Sequence, residues 1–259
     1  MTQNYHTHTA LKSLCIWRFG AVKSSFDVAW NLVDQNKLDP FDSVLVCSQS
    51  QGRGQYRRQW FSPPGNLYAC IRLPEEPPFL NEGGAVACGA LFVLTMRDLG
   101  FTVFLKWPND VVVVDKDVPK KVGGMLLEER RGRLILGLGL NLRSAPSLQM
   151  LRTNAALPAA TLDCWQSQFR TVSALYRDLV KKAISNYKNG NFLTQWQRRI
   201  APYLLWLGSK LVLEEKGKEE TAILMGIGPS GGLLVSVGCQ MREIRNGTLV
   251  QGSMPRICE

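Results

Sequence analysis

Residues 122–140 restrict the fold more than any other stretch of the chain. Two apolar runs, 122–129 and 134–140, flank Arg130-Arg131-Gly132-Arg133. Charges and a glycine between two such runs predict a β-hairpin. With the turn centred near Arg131 and Gly132, Gly124 falls opposite Gly139. Two facing glycines leave bare backbone on the sheet, which serves either a flat or extended ligand or a contact too crowded for side chains.

Periodicity elsewhere predicts a mixed α+β chain. A helix begins after Ser24 and Ser25, whose hydroxyls can cap exposed amides. Val28, Ala29, Leu32 and Val33 follow at helical spacing, and the helix ends near Asn36. Residues 81–99 form a second helix, apolar nearly all round and stopped by Gly100. Leu162, Trp165, Phe169, Val172, Leu175, Leu179 and Ala183 predict one long amphipathic helix. Strands are expected at 44–47, 67–73, 101–105 and 111–114, the last two separated by a bend at Pro108. After Pro202 come short strands at 210–214, 221–227, 233–237 and 241–244. Turns at Lys216-Gly217, 229–232 and Asn246-Gly247 separate them, which predicts a small β-barrel. The expected division is a larger unit, 1–204, and a smaller one, 205–259.

Composition narrows the function classes. Of 259 residues, 45% are hydrophobic and 20% charged, which places the chain among ordinary globular proteins. The formal charge of +10 favours an anionic partner. No apolar run approaches the roughly 18 residues that cross a bilayer, and the start lacks the layout of a signal peptide. A cytoplasmic protein with no membrane partner is expected. The seven cysteines show no C-x-x-C spacing, so buried, reduced thiols are expected, and His6 and His8 lie in a polar terminus. The phosphate-binding G-x-x-x-x-G-K-[ST] loop, the H-E-x-x-H zinc motif and the nucleophile elbow are all missing, and no metal-ligand set stands out.

What remains is Gln49-Ser50-Gln51-Gly52-Arg53-Gly54-Gln55-Tyr56-Arg57-Arg58-Gln59-Trp60, then Lys106-Trp107-Pro108-Asn109-Asp110, then Lys121-Val122-Gly123-Gly124-Met125-Leu126, then Gly137-Leu138-Gly139-Leu140-Asn141. The residue types fit an anionic ligand. Arginine forks hold phosphate or carboxylate oxygens bidentately, and an indole face stacks on a nucleobase for about 1–3 kcal/mol. In order and spacing these segments resemble the biotin protein ligases, whose motifs read G-R-G-R-x-G-R-x-W, K-W-P-N-D, K-x-x-G-I-L-x-E and G-x-G-x-N. The resemblance runs from about Ser24 to Asn141, and the expected barrel resembles the SH3-like domain of that family.

The resemblance implies a mixed β-sheet packed by helices, then the SH3-like barrel. It implies an enzyme that uses ATP and Mg2+ to activate biotin as biotinyl-AMP and then transfers biotin to a lysine of a biotin carboxyl carrier domain. Ser24, Ser25 and Gln49 would hold the ureido head of biotin, with Arg53, Lys121, Gly123 and Gly124 along the rest of it. Arg53, Arg58, Trp60, Lys106, Asn109, Asp110 and Asn141 would hold ATP and the adenylate. Lys121 would bridge the biotin carboxylate and the α-phosphate, Arg53 would assist, and Asp110 would orient the acceptor lysine. About 20 residues precede Ser24, too few for the family's DNA-binding domain, so a monofunctional form without specific DNA binding is expected. A homodimer paired along a sheet edge is also compatible with the resemblance.

The chain departs from the pattern in two places. Ser24-Ser25-Phe26 stands where the family reads Ser-Thr-Asn. In the arginine loop Gln55 replaces an arginine and Arg57 a glycine. Loss of one cation predicts weaker retention of biotinyl-AMP, unless Arg57 takes its place. A lipoate or octanoate attachment enzyme and a noncatalytic biotin-binding protein are the alternative readings.

Overall fold

The computed structural model describes residues 14–147, 157–163, 165–188, 191–215 and 218–251. A seven-stranded mixed sheet forms its centre, in the order β1-β2-β3-β7-β6-β5-β4. These strands are β1 (Ile16–Val22), β2 (Ser43–Gln49), β3 (Leu67–Leu73), β4 (Phe104–Lys106), β5 (Asp110–Asp115), β6 (Val118–Arg130) and β7 (Arg133–Leu140). Only β1 and β2 run parallel.

Helices cover both faces of this sheet. α1 (Ser25–Asp34) lies on one, where Phe26, Ala29, Trp30 and Val33 pack with Val44, Val46, Tyr68, Cys70 and Ile135. α2 (Gly84–Asp98), α4 (Val172–Lys188) and α5 (Asn191–Ile200) lie on the other, packed with Leu45, Ala69, Ile71, Leu136 and Leu138. The two sets alternate along the strands, as the period of two requires. β3 is buried at every position because both of its faces are covered.

The expected hairpin is β6-β7, and its turn residues Arg131 and Gly132 both have positive φ (50° and 73°). The long helix expected over 162–183 is instead α3 (Trp165–Gln168) followed by α4. Thr171 interrupts it, and its Oγ accepts a hydrogen bond from the Ala174 amide as a helix cap does. α2 starts three residues later than expected, at Gly84. β1, α5 and a strand at Thr248–Gln251 add to the expected elements. In α5, Phe192, Trp196 and Ile200 are buried at a four-residue spacing.

The C-terminal part is a five-stranded antiparallel sheet, β11-β10-β9-β8-β12. It comprises β8 (Lys210–Glu215), β9 (Lys218–Ile227), β10 (Leu233–Val237), β11 (Gln240–Ile244) and β12 (Thr248–Gln251). Among the described residues its outer strands, β11 and β12, are not paired with each other, and the sheet is consistent with the small SH3-like domain expected.

Among the described cysteines, Cys70 and Cys88 are buried, and burial pushes the Cys70 thiol up to about 12. Cys47 and Cys239 are exposed, against the expectation of burial. Cys164, Cys258, His6, His8 and the Lys216-Gly217 turn lie outside the described residues.

One buried side chain ties the end of β7 to the start of β3. Asn66 Oδ1 accepts from the amides of Leu142, Arg143 and Ser144 at 2.9, 2.8 and 3.1 Å, while its Nδ2 donates to the Ser144 carbonyl. Asn66→Ala leaves three amides without that acceptor. A loss of about 2–3 kcal/mol is expected in urea unfolding, and an unchanged midpoint would show that water replaces the bond.

Candidate functional site

The site is built on one row across the sheet. Tyr68 on β3 pairs with Gly139, Gly139 with Gly124, and Gly124 with Asp110 at the start of β5. The predicted facing of Gly124 and Gly139 is therefore present. The space above them is filled from within: a Cβ on Gly139 would lie 2.7 Å from the Trp60 indole, and one on Gly124 3.4 Å from it. One row along, a Cβ on Gly137 would lie 2.5 Å from the Phe26 ring. The glycines admit two aromatic rings.

A β-bulge sets the position of Lys121. Val111 pairs with Gly123 but Val112 pairs with Lys121, so the register shifts by one residue. Strict alternation would put Lys121 on the face opposite Gly124, and the extra residue returns it to the same face. There Lys121 Nζ lies 2.5 Å from Asp110 Oδ1 and 5.2 Å from the centre of the Trp60 ring. Gly123 faces the other way, where a Cβ would meet Leu140 and Val111, and it does not line the cavity.

That cavity has a volume of about 1460 Å3 and is lined by Ser25, Gln49, Arg53, Arg58, Trp60, Lys106, Asn109, Asp110, Lys121, Gly124 and Asn141 of the expected set. Ser24 is not among the lining residues. Although it holds the N-cap position of α1, its hydroxyl makes no cap bond and is buried without a partner. The cap acceptor is Gln49, whose Oε1 takes hydrogen bonds from the Ser25 amide (2.8 Å) and hydroxyl (2.9 Å). Gln49 Nε2 donates to Ser62 Oγ, which donates to the Trp60 carbonyl. The Cys70 thiol, kept protonated by burial, donates to Ser25 Oγ at 3.2 Å. The groups expected to meet a ureido head thus also brace α1 against the Trp60 loop.

Arg53 lines the cavity with its guanidinium already paired. Its guanidinium is paired with Asp27 in the first turn of α1, lies 3.4 Å from Glu128 on β6, and sits 5.9 Å from the centre of the Phe26 ring. Glu128 also accepts from Trp30 Nε1 at 2.8 Å and from Arg130 at 3.2 Å. The charge of Arg53 is neutralised by carboxylates, and its position anchors the loop. Sequence reasoning missed Asp27 and Glu128, although Glu128 is the glutamate that closes the Lys121 motif. Arg58 is exposed, 5.4 Å from the Tyr56 ring.

Lys106 completes the cationic group. Burial lowers its pKa below the ordinary lysine value, nearby Asp110 opposes this, and Lys121 adds to it. Asn109 is buried and donates its amide to the Met125 carbonyl, fixing the cis Trp107-Pro108 segment to β6. Asn141 donates to the Ala160 carbonyl at 3.2 Å, and its buried Oδ1 has no partner. The C-terminal sheet supplies lining that the sequence did not signal, namely Ser230, Gly231, Gly232, Arg245 and Asn246. No group of three or more His, Cys, Asp or Glu side chains able to hold a metal ion occurs among the described residues.

The chain is similar to known proteins in both sequence and fold. Residues 19–143 match the model of the Biotin/lipoate A/B protein ligase family. It is 29% identical over 129 residues to the bifunctional ligase/repressor BirA of Bacillus subtilis, a stretch that covers 48% of this chain and only 38% of that protein. It is 26% identical over 229 residues to the biotin–[acetyl-CoA-carboxylase] ligase of Mycobacterium tuberculosis, covering 81% and 79% of the two chains. The fold is shared with the biotin protein ligase of Aquifex aeolicus solved with biotin and ATP, at a TM-score of 0.71 and 24% identity over 91% of this chain and 97% of that one.

Glu128 does not line the cavity, so it tests the anchoring role of Arg53 from outside. Arg53→Ala and Glu128→Gln are each expected to speed tryptic cleavage after Arg58 several-fold under native conditions. Equal cleavage rates in wild type and both variants would separate the loop from the ion pairs.

Proposed function

We propose that the protein is a biotin protein ligase, which joins biotin to AMP and then to a lysine of a biotin carboxyl carrier domain. The observation that carries this reading is Lys121, turned by the bulge onto the glycine face beside Asp110 and Trp60. The cavity supports it as well. At about 1460 Å3 it exceeds the roughly 300–1,000 Å3 of a single-ligand pocket, as a site that joins two molecules requires.

In the first step a biotin carboxylate oxygen attacks the α-phosphorus of ATP, and pyrophosphate leaves. The Lys121 ammonium sits where it meets both anions, and Lys106 and Arg58 add positive charge on the nucleotide side. Asn141 offers its unpartnered Oδ1 to a donor on the ligand. Ser25 and Gln49 lie at the other end for the neutral head, and Trp60 forms an aromatic wall between the ends. Asn109 is the side chain that would meet the phosphates or a magnesium-bound water, and a magnesium ion bound with ATP would supply further charge neutralisation there.

In the second step the acceptor amine attacks the acyl carbonyl and AMP leaves. As the anion draws Lys121 away, Asp110 becomes free to hold the incoming ammonium and take its proton. Residues 1–204 form the catalytic unit in this reading, with 205–259 the smaller one, and the basic surface suits an acidic carrier domain.

With ATP, magnesium and biotin, the protein is expected to release pyrophosphate, and Lys121→Ala to lower the rate on the order of 10²–10³-fold. Release with lipoate or octanoate in place of biotin would move the protein to the other branch of the family. Biotin binding without release would make it a binding protein. Gln55 lines the cavity. Gln55→Arg is expected to slow loss of biotinyl-AMP in a filter assay, and an unchanged off-rate would remove that loop position from the account.

A further inference from the structure

The C-terminal sheet reaches the site through a loop wrapped around a carboxylate. Between β9 and β10 the chain turns at 228–232. Glu243 Oε1 on β11 accepts from the Ser230 amide (3.0 Å), the Ser230 hydroxyl (2.6 Å) and the Gly232 amide (3.0 Å). Gly228 and Gly232 let the backbone close around it, since a Cβ on either would lie within 3 Å of the Glu243 side chain. Partial burial works against the charge, but the hydrogen bonds from Ser230 and Gly232, with Arg245 nearby, hold the Glu243 carboxyl below its ordinary value.

The outer side of this loop rests on the larger unit. Gly231 meets Gly83 just before α2 so closely that a Cβ on it would lie 2.5 Å from the Gly83 Cα. The Gly231 carbonyl accepts from Trp107 Nε1 at 3.0 Å, and Arg245 pairs with Glu82 at 2.8 Å. Trp107 stands between Lys106 and the Asn109-Asp110 pair, and 230–232 line the same cavity.

We propose that Glu243 is a positioning residue for the nucleotide end of the site. By filling the 228–232 loop it holds Gly231 against Gly83 and Trp107, and so sets the segment that carries Lys106, Asn109 and Asp110. Ser25 and Gln49 are braced separately, by α1 and Ser62. The effect therefore falls on ATP rather than on biotin. This role rests on the ligase reading given above.

The test uses the full chain with Glu243→Gln and Trp107→Phe, singly and together. It measures KM for ATP, KM for biotin, kcat for pyrophosphate release and amide hydrogen exchange. Each single variant is expected to raise KM for ATP about tenfold with KM for biotin within about twofold. The double variant is expected to add little, because both changes break one clasp. Exchange is expected to rise at 228–232 and at 105–110 in Glu243→Gln. Exchange that rises at 228–232 alone, or KM values for both substrates that rise together, overturns the proposal. If the wild type releases no pyrophosphate with biotin, the ligase reading fails instead, and exchange at 105–110 alone then decides whether Glu243 sets that segment.

Discussion

The site depends on two glycines facing each other between Tyr68 and Asp110 across four strands. Side chains at those positions would hold the Trp60 indole off the sheet, and Trp60 in turn carries the end of the loop that begins at Gly52. The bulge opposite Val111 and Val112 performs the complementary task, because without it Lys121 would point into the packed face. A gap and a change of register, both within β5-β6-β7, thus create the floor and its cation.

Charge is arranged in pairs before any ligand arrives. Lys121 leans on Asp110, Arg53 on Asp27 and Glu128, and Arg245 on Glu82. A half-buried cation without a counter-charge is costly, and at an effective dielectric near 20 a pair 4 Å apart gains about 4 kcal/mol before desolvation. The net +10 of the chain is consequently not a measure of free cations in the cavity. Arg53 is fixed by two carboxylates from different elements and serves the loop. Lys121 has a single carboxylate partner and a bare glycine beside it, so it can exchange that partner for an anion.

The parts legible in the sequence were those set by local chemistry. β3 was placed residue for residue because an apolar run bounded by turn residues has few other uses, and the β6-β7 register followed from Arg131-Gly132. The bulge left no local signal, since it arises from the fit of β5 to β6. The true cap of α1 was hidden for a related reason. Ser24 looks like the cap, but the acceptor is Gln49, 24 positions from Ser25. Arg53 was legible only in part: its type and loop predicted an anion fork, and it lines the cavity, but its carboxylate partners lie 26 and 75 positions away. The break before α4 was a miss with a local signal, because Thr171 precedes Val172 as a cap residue should, and so was α5, whose Phe192, Trp196 and Ile200 recur every four residues.

The sharing of Asp110 between two lysines orders the events at the site. Lys106 and Lys121 both act on one carboxylate, and burial already disfavours the charge on Lys106. Three such groups carry one net positive charge and lack a second anion. A carboxylate alone supplies one negative charge and can be balanced by Lys121. In the ligase reading proposed above, the carboxylate and the α-phosphate of ATP bring two negative charges as they meet, one for each lysine, and so loosen Lys121 from Asp110, while the mixed anhydride they form keeps one. In that reading the site is better matched to the transition state in which the two anions meet than to either anion alone, which is the condition for catalysis as opposed to mere binding. In the same reading the charge kept on the anhydride holds Lys121, Asp110 is left to meet an acceptor ammonium, and activation prepares the site for transfer without a separate conformational signal.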